Sequence, residues 1–327
     1  MTRSTPRATA LLGLVFVLLS ALGLATQNVI SRIFFVPSQL FGQLTFGGFI
    51  APKLENVVLL LAIRMAMMAL LLASVSPWLY PDTFLALCKL PKSPRLFRYV
   101  VGSSASLFIG LTCLYTALSQ IEAGIAIAIF FIYPAVTVLL DWYFFRQRLP
   151  YYKLGLMAII LVGVVLTTLT DSPPSSDSNL LLGLLNAAGA GLSFGVYGIL
   201  AEVCLQHQPS HRALHPVPFS LSTFVVVSGL AGLTLPFLSP IAIAPSAWTT
   251  LLALTLFSAA ITLTAYVFSN FGIRYIGASL TALISASSPA LTVLFAWVAL
   301  QETLQIQQLL GVGLVTAGVA ALSVKAS

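Results

Sequence analysis

Most of the residues that can take part in chemistry in this chain are isolated polar side chains within long apolar runs. One of them is a cation, Arg64, and the others are amides, phenols and hydroxyls. The uncharged members are Asn28, Tyr115, Tyr133, Asn186, Tyr197, Tyr266, Asn270, Ser285 and Ser287. Their types do not form a nucleophile–base pair or a set of metal ligands. Together they predict a mildly polar, aromatic-lined cavity that binds a small-molecule substrate.

Arg64 is the strongest single signal, because it lies inside an apolar run. A charge at the centre of a membrane helix costs about 2.5–3.5 kcal/mol on insertion scales, so it is not expected to face lipid. One interpretation is structural, with the guanidinium bonded to neighbouring carbonyls or reaching the interface. The other is functional, with Arg64 attracting an anionic group of the substrate. The sequence leaves both open.

Carboxylates and metal ligands are not concentrated within these runs. Asp141 lies near one end of its run, and the other acidic residues lie in loops or at the ends of runs. Proton relays and cation pathways use carboxylates at mid-membrane depth. A tract with Cys204, His207, His211 and His215 has near-helical spacing, but prolines interrupt it. We therefore expect no metal, no cofactor and no catalytic residue.

The composition requires a membrane. Of the 327 residues, 59% are hydrophobic and 7% are charged, whereas a soluble domain has about 25% charged residues. Apolar runs of about 20 residues, the length that crosses a bilayer, recur along the chain. The net charge of +7 is scattered over short loops, which argues against a nucleic-acid partner. The lipid bilayer is the expected environment.

Chain breakers and apolar runs predict an all-α polytopic fold with ten transmembrane helices. The predicted spans are 9–35, 55–79, 98–119, 123–145, 152–170, 179–203, 216–239, 247–272, 278–300 and 304–324. We predict a first five-helix repeat over residues 1–170, a linker over 171–178 and a second five-helix repeat over 179–327. The apolar segment Val36 to Asn56 is expected to be a short interfacial or re-entrant piece.

The division into two repeats rests on a motif that occurs twice. PAVTVLLDW from Pro134 recurs as PALTVLFAW from Pro289, at an offset of 155 residues (289 − 134). Each proline is expected at the middle of a span, where its missing N–H frees a carbonyl four residues earlier. In lipid such a group needs a partner or a water-filled cavity. The matched pair predicts a gating or hinge role, with two ordinary kinks as the alternative.

Lysine and arginine set the orientation. Twelve of them fall on the side of the N-terminus, and Arg32 and Lys53 fall on the other side. Both termini are therefore predicted to be cytoplasmic. Because each half has five spans, an odd number, the second half enters the membrane in the opposite orientation. Inverted repeats of this kind are characteristic of secondary transporters.

These features resemble the drug/metabolite transporter superfamily, specifically its ten-helix EamA-type members. The segments 122–169 and 277–322 are similar to the family pattern of a mid-helix proline, an acidic turn and a glycine-rich last helix. Gln301-Glu302 matches the acidic turn, whereas Arg146-Gln147 departs from it. Arg64 lies where the family often has an arginine. The resemblance implies an exporter or exchanger of amino acids or related solutes in the inner plasma membrane.

Two other functional classes are alternatives to a transporter. One is a non-transporting membrane scaffold or a channel, since a fold alone does not determine function. The other, a polytopic membrane enzyme, needs clustered catalytic groups that the spans lack. The absence of a mid-membrane carboxylate predicts transport driven by the substrate's own gradient. The sequence leaves the substrate, the direction of transport and the oligomeric state open.

Overall fold

The computed structural model is built almost entirely from helices. It describes residues 6–35, 37–40, 44–51, 53–120, 123–145, 151–168, 180–206, 213–239, 243, 247–300 and 305–326. The helices are α1 Pro6–Phe35, α2 Leu54–Leu79, α3 Thr83–Lys89, α4 Pro94–Gln120, α5 Ala123–Phe130, α6 Tyr133–Phe145, α7 Tyr151–Thr168, α8 Leu180–Leu205, α9 Pro216–Thr234, α10 Trp248–Ser285, α11 Ser288–Leu300 and α12 Ile306–Ala326. Short 3₁₀ turns follow α3 and α9, at Leu90–Lys92 and Leu235–Phe237.

Six of the described helices are long and apolar enough to cross a membrane, and three shorter helices are strongly apolar. The six are Thr9–Phe35, Leu54–Leu79, Pro94–Ala117, Leu180–Leu205, Pro216–Phe237 and Trp248–Ser285. Large apolar side chains such as Trp78 and Leu181 lie on the outer surface. Such a surface is stable in lipid and not in water. The chain is therefore a multi-pass, helical membrane protein.

The main helix pairs each join the N-terminal part of the chain to the C-terminal part. Helix α1 packs along α10, α4 along α8, α2 along α9, and α7 along α12. The largest buried clusters consequently contain side chains from both parts. Among the described residues, neither part has a large core that is separate from the other.

The α7–α12 pair shows how glycines allow this close packing. A Cβ at Gly163 of α7 would lie 2.8 Å from Val315, and a Cβ at Gly318 of α12 would lie 2.6 Å from Ile160. Small residues at such interfaces let two helix backbones approach each other. Gly163 and Gly318 are 155 residues apart, as are Ile160 and Val315. The two helices therefore use equivalent residues against each other.

The spans predicted at 123–145 and 278–300 are each interrupted by a two-residue turn near the middle. Helix α5 ends at Phe130 and α6 begins at Tyr133, while α10 ends at Ser285 and α11 begins at Ser288. The two breaks are 155 residues apart at both edges.

The same breaks give the local setting of the two prolines. Pro134 and Pro289 are each the second residue of the helix that follows a two-residue turn. A proline is tolerated there because an N–H in the first turn has no intrahelical acceptor.

Within α10 two helical parts meet at Gly277, close to the predicted boundary between the span ending at 272 and the one beginning at 278. Helix α10 runs for 38 residues and changes direction at Gly277, whose φ is 83°. A positive φ favours glycine, because in other residues the Cβ would clash with the neighbouring backbone atoms. Gly277 therefore permits the kink that separates the two helical parts of α10.

The segment between α1 and α2 contains a small β-hairpin, a local exception to the all-α prediction. Strand β1, Ser38–Leu40, pairs antiparallel with β2, Leu44–Phe46. After β2, the N–H of Gly48 donates to Ile33 O (3.0 Å) and that of Ile50 to Phe34 O (3.2 Å). These bonds satisfy carbonyls at the end of α1 that have no intrahelical partner. The hairpin is thus attached to α1.

Candidate functional site

Arg64 and Tyr115 form the charged part of the candidate site. Arg64 lies near the middle of α2 and is only 6% exposed. Its Nη2 donates a hydrogen bond to the hydroxyl of Tyr115 on α4, at 3.0 Å. Its Nε is buried without a partner. The guanidinium is thus held in the protein interior with part of its hydrogen-bonding capacity unused.

A small cavity adjoins this pair. Its volume is about 20 Å³, and its lining residues are Ser31, Phe35, Val57, Leu60, Leu61, Arg64 and Tyr115. A cavity of this size holds roughly one water molecule. Most of its wall is apolar, and Arg64 supplies its charge. This cavity is therefore too small for a metabolite-sized molecule in this conformation.

A second polar set connects α8, α9 and α10. The Tyr197 hydroxyl donates to Asn270 Oδ1 (3.2 Å), and Asn270 Nδ2 donates to Ser220 Oγ (2.8 Å). All three side chains are buried. Because both ends of the Asn270 amide have a partner, this set avoids the penalty of unpaired buried polar groups.

Tyr266 on α10 lies between the two sets. It is within electrostatic range of Arg64 and Tyr115 on one side, and of Tyr133 and Tyr197 on the other. Its ring contacts Phe224 of α9 edge-on, with ring centroids 6.0 Å apart. The structure therefore brings six of the predicted residues into one region: Arg64, Tyr115, Tyr133, Tyr197, Tyr266 and Asn270.

Tyr133 connects this region to the helix breaks. Its hydroxyl donates to Ala282 O in the last part of α10, at 3.4 Å. Its ring lies 5.2 Å from that of Phe130 and 6.1 Å from that of Phe194 of α8. Residues 281–290 around the second break are all buried. Both broken helices therefore face the protein interior beside the polar region.

Glycines of α8 bring it against the first break. A Cβ at Gly191 would lie 2.8 Å from Phe130 O, the carbonyl four residues before Pro134, and a Cβ at Gly195 would lie 2.5 Å from Val136. Any larger residue would force α8 away from α6.

The other predicted residues bond elsewhere. Asn28 of α1 donates to Thr292 Oγ1 of α11 at 3.1 Å, and Asn186 donates to Leu182 O of its own helix at 2.9 Å. Ser287 donates to Ile284 O at 2.7 Å, and Ser285 is buried beside the same break. These bonds satisfy the polar groups locally, so Asn186 in particular has a structural explanation.

The sequence reasoning missed a buried network between α1 and α10. Gln27 Oε1 accepts hydrogen bonds from Ser258 Oγ (2.5 Å) and Thr262 Oγ1 (2.7 Å), and its Nε2 donates to Ser31 Oγ (2.8 Å). Ser31 also lines the cavity beside Arg64. A buried glutamine next to Asn28 in an apolar run was the signal available for this network.

It also missed the environment of two carboxylates. Glu202, placed at a span end by the sequence, is only 3% exposed and accepts a hydrogen bond from Ala278 N at 2.7 Å. The hydroxyl of Ser279 donates to Asp141. Both contacts lie where the helix resumes after Gly277, and acidic groups are favourable at such a helix start. These carboxylates have a structural role at the turn of α10.

His215 is the titratable group outside the spans whose environment is most unusual. Its ring stacks on Tyr80, with centroids 4.1 Å apart, and its Nδ1 accepts a hydrogen bond from Val217 N at the start of α9. Burial, and secondarily the Arg274 charge, lower its pKa to about 4. The neutral ring therefore caps α9. The other two histidines of this tract, His207 and His211, lie outside the described residues.

Comparison with known proteins agrees with this architecture. The model of the EamA-like transporter family matches residues 11–169 and again residues 181–324. A protein of Synechocystis sp. named "Uncharacterized transporter sll1319" is 35% identical over 315 residues, which cover 96% of this chain and 93% of that protein. One solved crystal structure shares the fold with a TM-score of 0.67 at 18% identity, covering 97% of this chain and 98% of its own.

Proposed function

Because the chain belongs to the EamA-like transporter family, we propose that it is a secondary transporter of small organic metabolites, amino acids or related solutes. It is a multi-pass membrane transporter by its family and its apolar helices. The proposal adds the mechanism, alternating access as an exporter or exchanger. It also adds the location, the inner plasma membrane.

The observation that carries this proposal is the pair of broken helices. The α5–α6 and α10–α11 breaks are 155 residues apart and lie beside the same polar region. In secondary transporters, helices interrupted at matched positions of two repeats form the substrate site near the midplane.

Helix packing supports the further proposal of ten spans arranged as two inverted repeats with both termini in the cytoplasm. A two-fold relation between the repeats exchanges the first span with the sixth and the third with the eighth. It therefore converts the α1–α10 pair into the α8–α4 pair, and both pairs are present. The α2–α9 and α7–α12 pairs are each converted into themselves, and both are present as well.

Alternating access follows from this arrangement. One repeat rocks against the other and opens the central region first to one side and then to the other. The hydrogen bond from Tyr133 to Ala282 O links α6 to the broken end of α10. We propose that Pro134 and Pro289 shape the hinges, because each begins the helix segment that follows a break.

Flux into proteoliposomes tests the function. Purified protein reconstituted with a mixture of labelled amino acids and organic acids is expected to accelerate counterflow of at least one solute. Channel-like efflux of every solute without saturation, or no flux at all, would contradict a carrier.

An imposed pH gradient tests the energy coupling of transport, since we expect flux to follow the substrate gradient alone. Uphill uptake that a protonophore abolishes would contradict that expectation.

A further inference from the structure

The charge of Arg64 has no anionic partner among the described residues. Glu55 lies nine residues earlier on α2, about 13 Å along the helix axis. Asp82 lies beyond the far end of that helix. Asp141 and Glu202 bond at the turn of α10. A buried, unpaired charge is unfavourable by several kcal/mol, so an anion from outside the described chain would stabilise the site.

Two hydrogen-bond donors lie at this charge. Arg64 Nε is buried and unpartnered, and it belongs to a side chain that lines the cavity. The Tyr115 hydroxyl accepts from Arg64, which leaves its own proton to donate. Two donors on adjacent helices suit the two oxygens of one planar acid group, as in arginine–carboxylate pairs.

We propose that Arg64 and Tyr115 bind the carboxylate of the transported solute, an inference that rests on the proposed transport function. Arg64 is the one buried lysine or arginine in the part of the chain that the structure describes. A single positive charge neutralises a monoanionic carboxylate but only half of a phosphate dianion. The apolar residues that also line the cavity, Phe35, Leu60 and Leu61, suit a solute with an apolar body.

Matched acid and amide probes test this assignment. The probes are leucine with leucinamide, phenylalanine with phenylalaninamide, and benzoate with benzamide, so that each pair differs mainly at the acid group. In wild-type proteoliposomes we expect the acids to be transported, or to compete for transport, at least about 10-fold better than their amides, the loss typical of one charge-assisted hydrogen bond. Equal use of acids and amides would overturn the proposal.

Variants identify the groups responsible. Arg64→Gln is expected to remove the preference for acids, and Arg64→Lys to retain part of it because the charge remains. Tyr115→Phe removes one hydroxyl and should weaken the preference even if Arg64→Gln does not fold. Arg98→Gln is the control, since Arg98 is exposed and bonds to Pro94 O of its own helix. An acid preference retained in both Arg64→Gln and Tyr115→Phe would show that the carboxylate binds elsewhere.

A binding measurement separates failure of this inference from failure of the transport function. The thermal unfolding midpoint of the intact protein in detergent should rise with the acids and not with the amides, and this rise should be lost in Arg64→Gln. No flux together with this pattern would contradict transport and support the anion site. Flux without it would support transport and contradict the anion site.

Discussion

The two halves of the chain place different polar groups at corresponding positions. Tyr115 on α4 and Asn270 on α10 are 155 residues apart. Each bonds to the preceding helix of its half, Tyr115 accepting from Arg64 at 3.0 Å and Asn270 donating to Ser220 at 2.8 Å. The same junction between helices is thus charged in the first half and neutral in the second.

The difference lies in how completely each junction satisfies its own hydrogen bonds. In the second half, the Tyr197 hydroxyl donates a hydrogen bond to Asn270 Oδ1, so that both ends of the Asn270 amide have a partner. In the first half, the Nε of Arg64 is left without a partner and a cavity lies beside it. A saturated polar group stabilises a helix interface, whereas an unsaturated one is available to a ligand. We infer that one junction holds the bundle together and that the other is kept for binding.

The largest effect is expected from labelling that tests whether the halves are inverted. Single cysteines at Lys92, at Arg212 and at Ser175 should react with a membrane-impermeant reagent in an all-or-none manner. The charge bias predicts that Lys92 and Arg212 react from the cytoplasm and Ser175 from outside. The control is a variant with the three native cysteines replaced. Labelling of Lys92 and Ser175 from one side would remove the basis for comparing the halves.

The next effect concerns the saturated junction. Asn270→Ala leaves the Tyr197 and Ser220 hydroxyls buried without their partner, so the free energy of unfolding should fall by about 1–3 kcal/mol. Asn186→Ala is the matched control, because its amide bonds to a carbonyl of its own helix. Denaturant titration in detergent measures both. Equal losses in the two variants would show that the Asn270 bonds add nothing to stability.

The sequence predicted the features that depend on local pattern and on repetition. The apolar runs indicated a membrane bundle, and the family match confirms that the resemblance was read correctly. The repeat offset of 155 residues identified Pro134 and Pro289 as equivalent positions from the sequence alone. The site residues remain predictions, and the structure brings only part of them together.

The sequence could not predict the contacts that depend on which helices, distant along the chain, pack against each other. The Gln27 network requires α1 to lie along α10, and the bond from Glu202 to Ala278 N requires α8 to reach the turn of α10. The helix breaks were also missed, because a proline in an apolar run fits a kink as well as a new first turn. The unpartnered Nε of Arg64 likewise becomes visible only when its neighbours are placed.

A smaller effect is expected at the breaks, where the halves also differ. Pro289 lies in a fully buried stretch, whereas Ile132, beside Pro134, is 38% exposed. Because a proline in a first turn removes no hydrogen bond, Pro134→Ala and Pro289→Ala should change the free energy of unfolding by less than about 1 kcal/mol. Transport should slow in both, and more in Pro289→Ala. Pro77→Ala, within α2, is the control, and unchanged flux in the double variant would return both prolines to a structural role.

The smallest effect is expected where the corresponding helices α2 and α9 begin. The start of α2 has no side-chain cap at Lys53, whereas His215 caps α9 through Nδ1. The capping nitrogen accepts a hydrogen bond, so only neutral His215 can make it. Burial and then the Arg274 charge hold the folded pKa near 4, below the ordinary value of 6.5.

The sign of the resulting pH dependence follows from these two values. Between about pH 6.5 and about pH 4 the unfolded chain takes up a proton at His215 that the folded chain does not, so stability contributed by the neutral ring is complete above this window and falls as the pH decreases through it. His215→Asn should reduce that fall, because asparagine caps a helix without titrating. The measurement is the thermal unfolding midpoint of wild type and variant in detergent at about pH 7.5 and about pH 5. The difference between the two proteins isolates His215 from the other titrating groups, and an identical fall in both would mean that the cap does not titrate in this range.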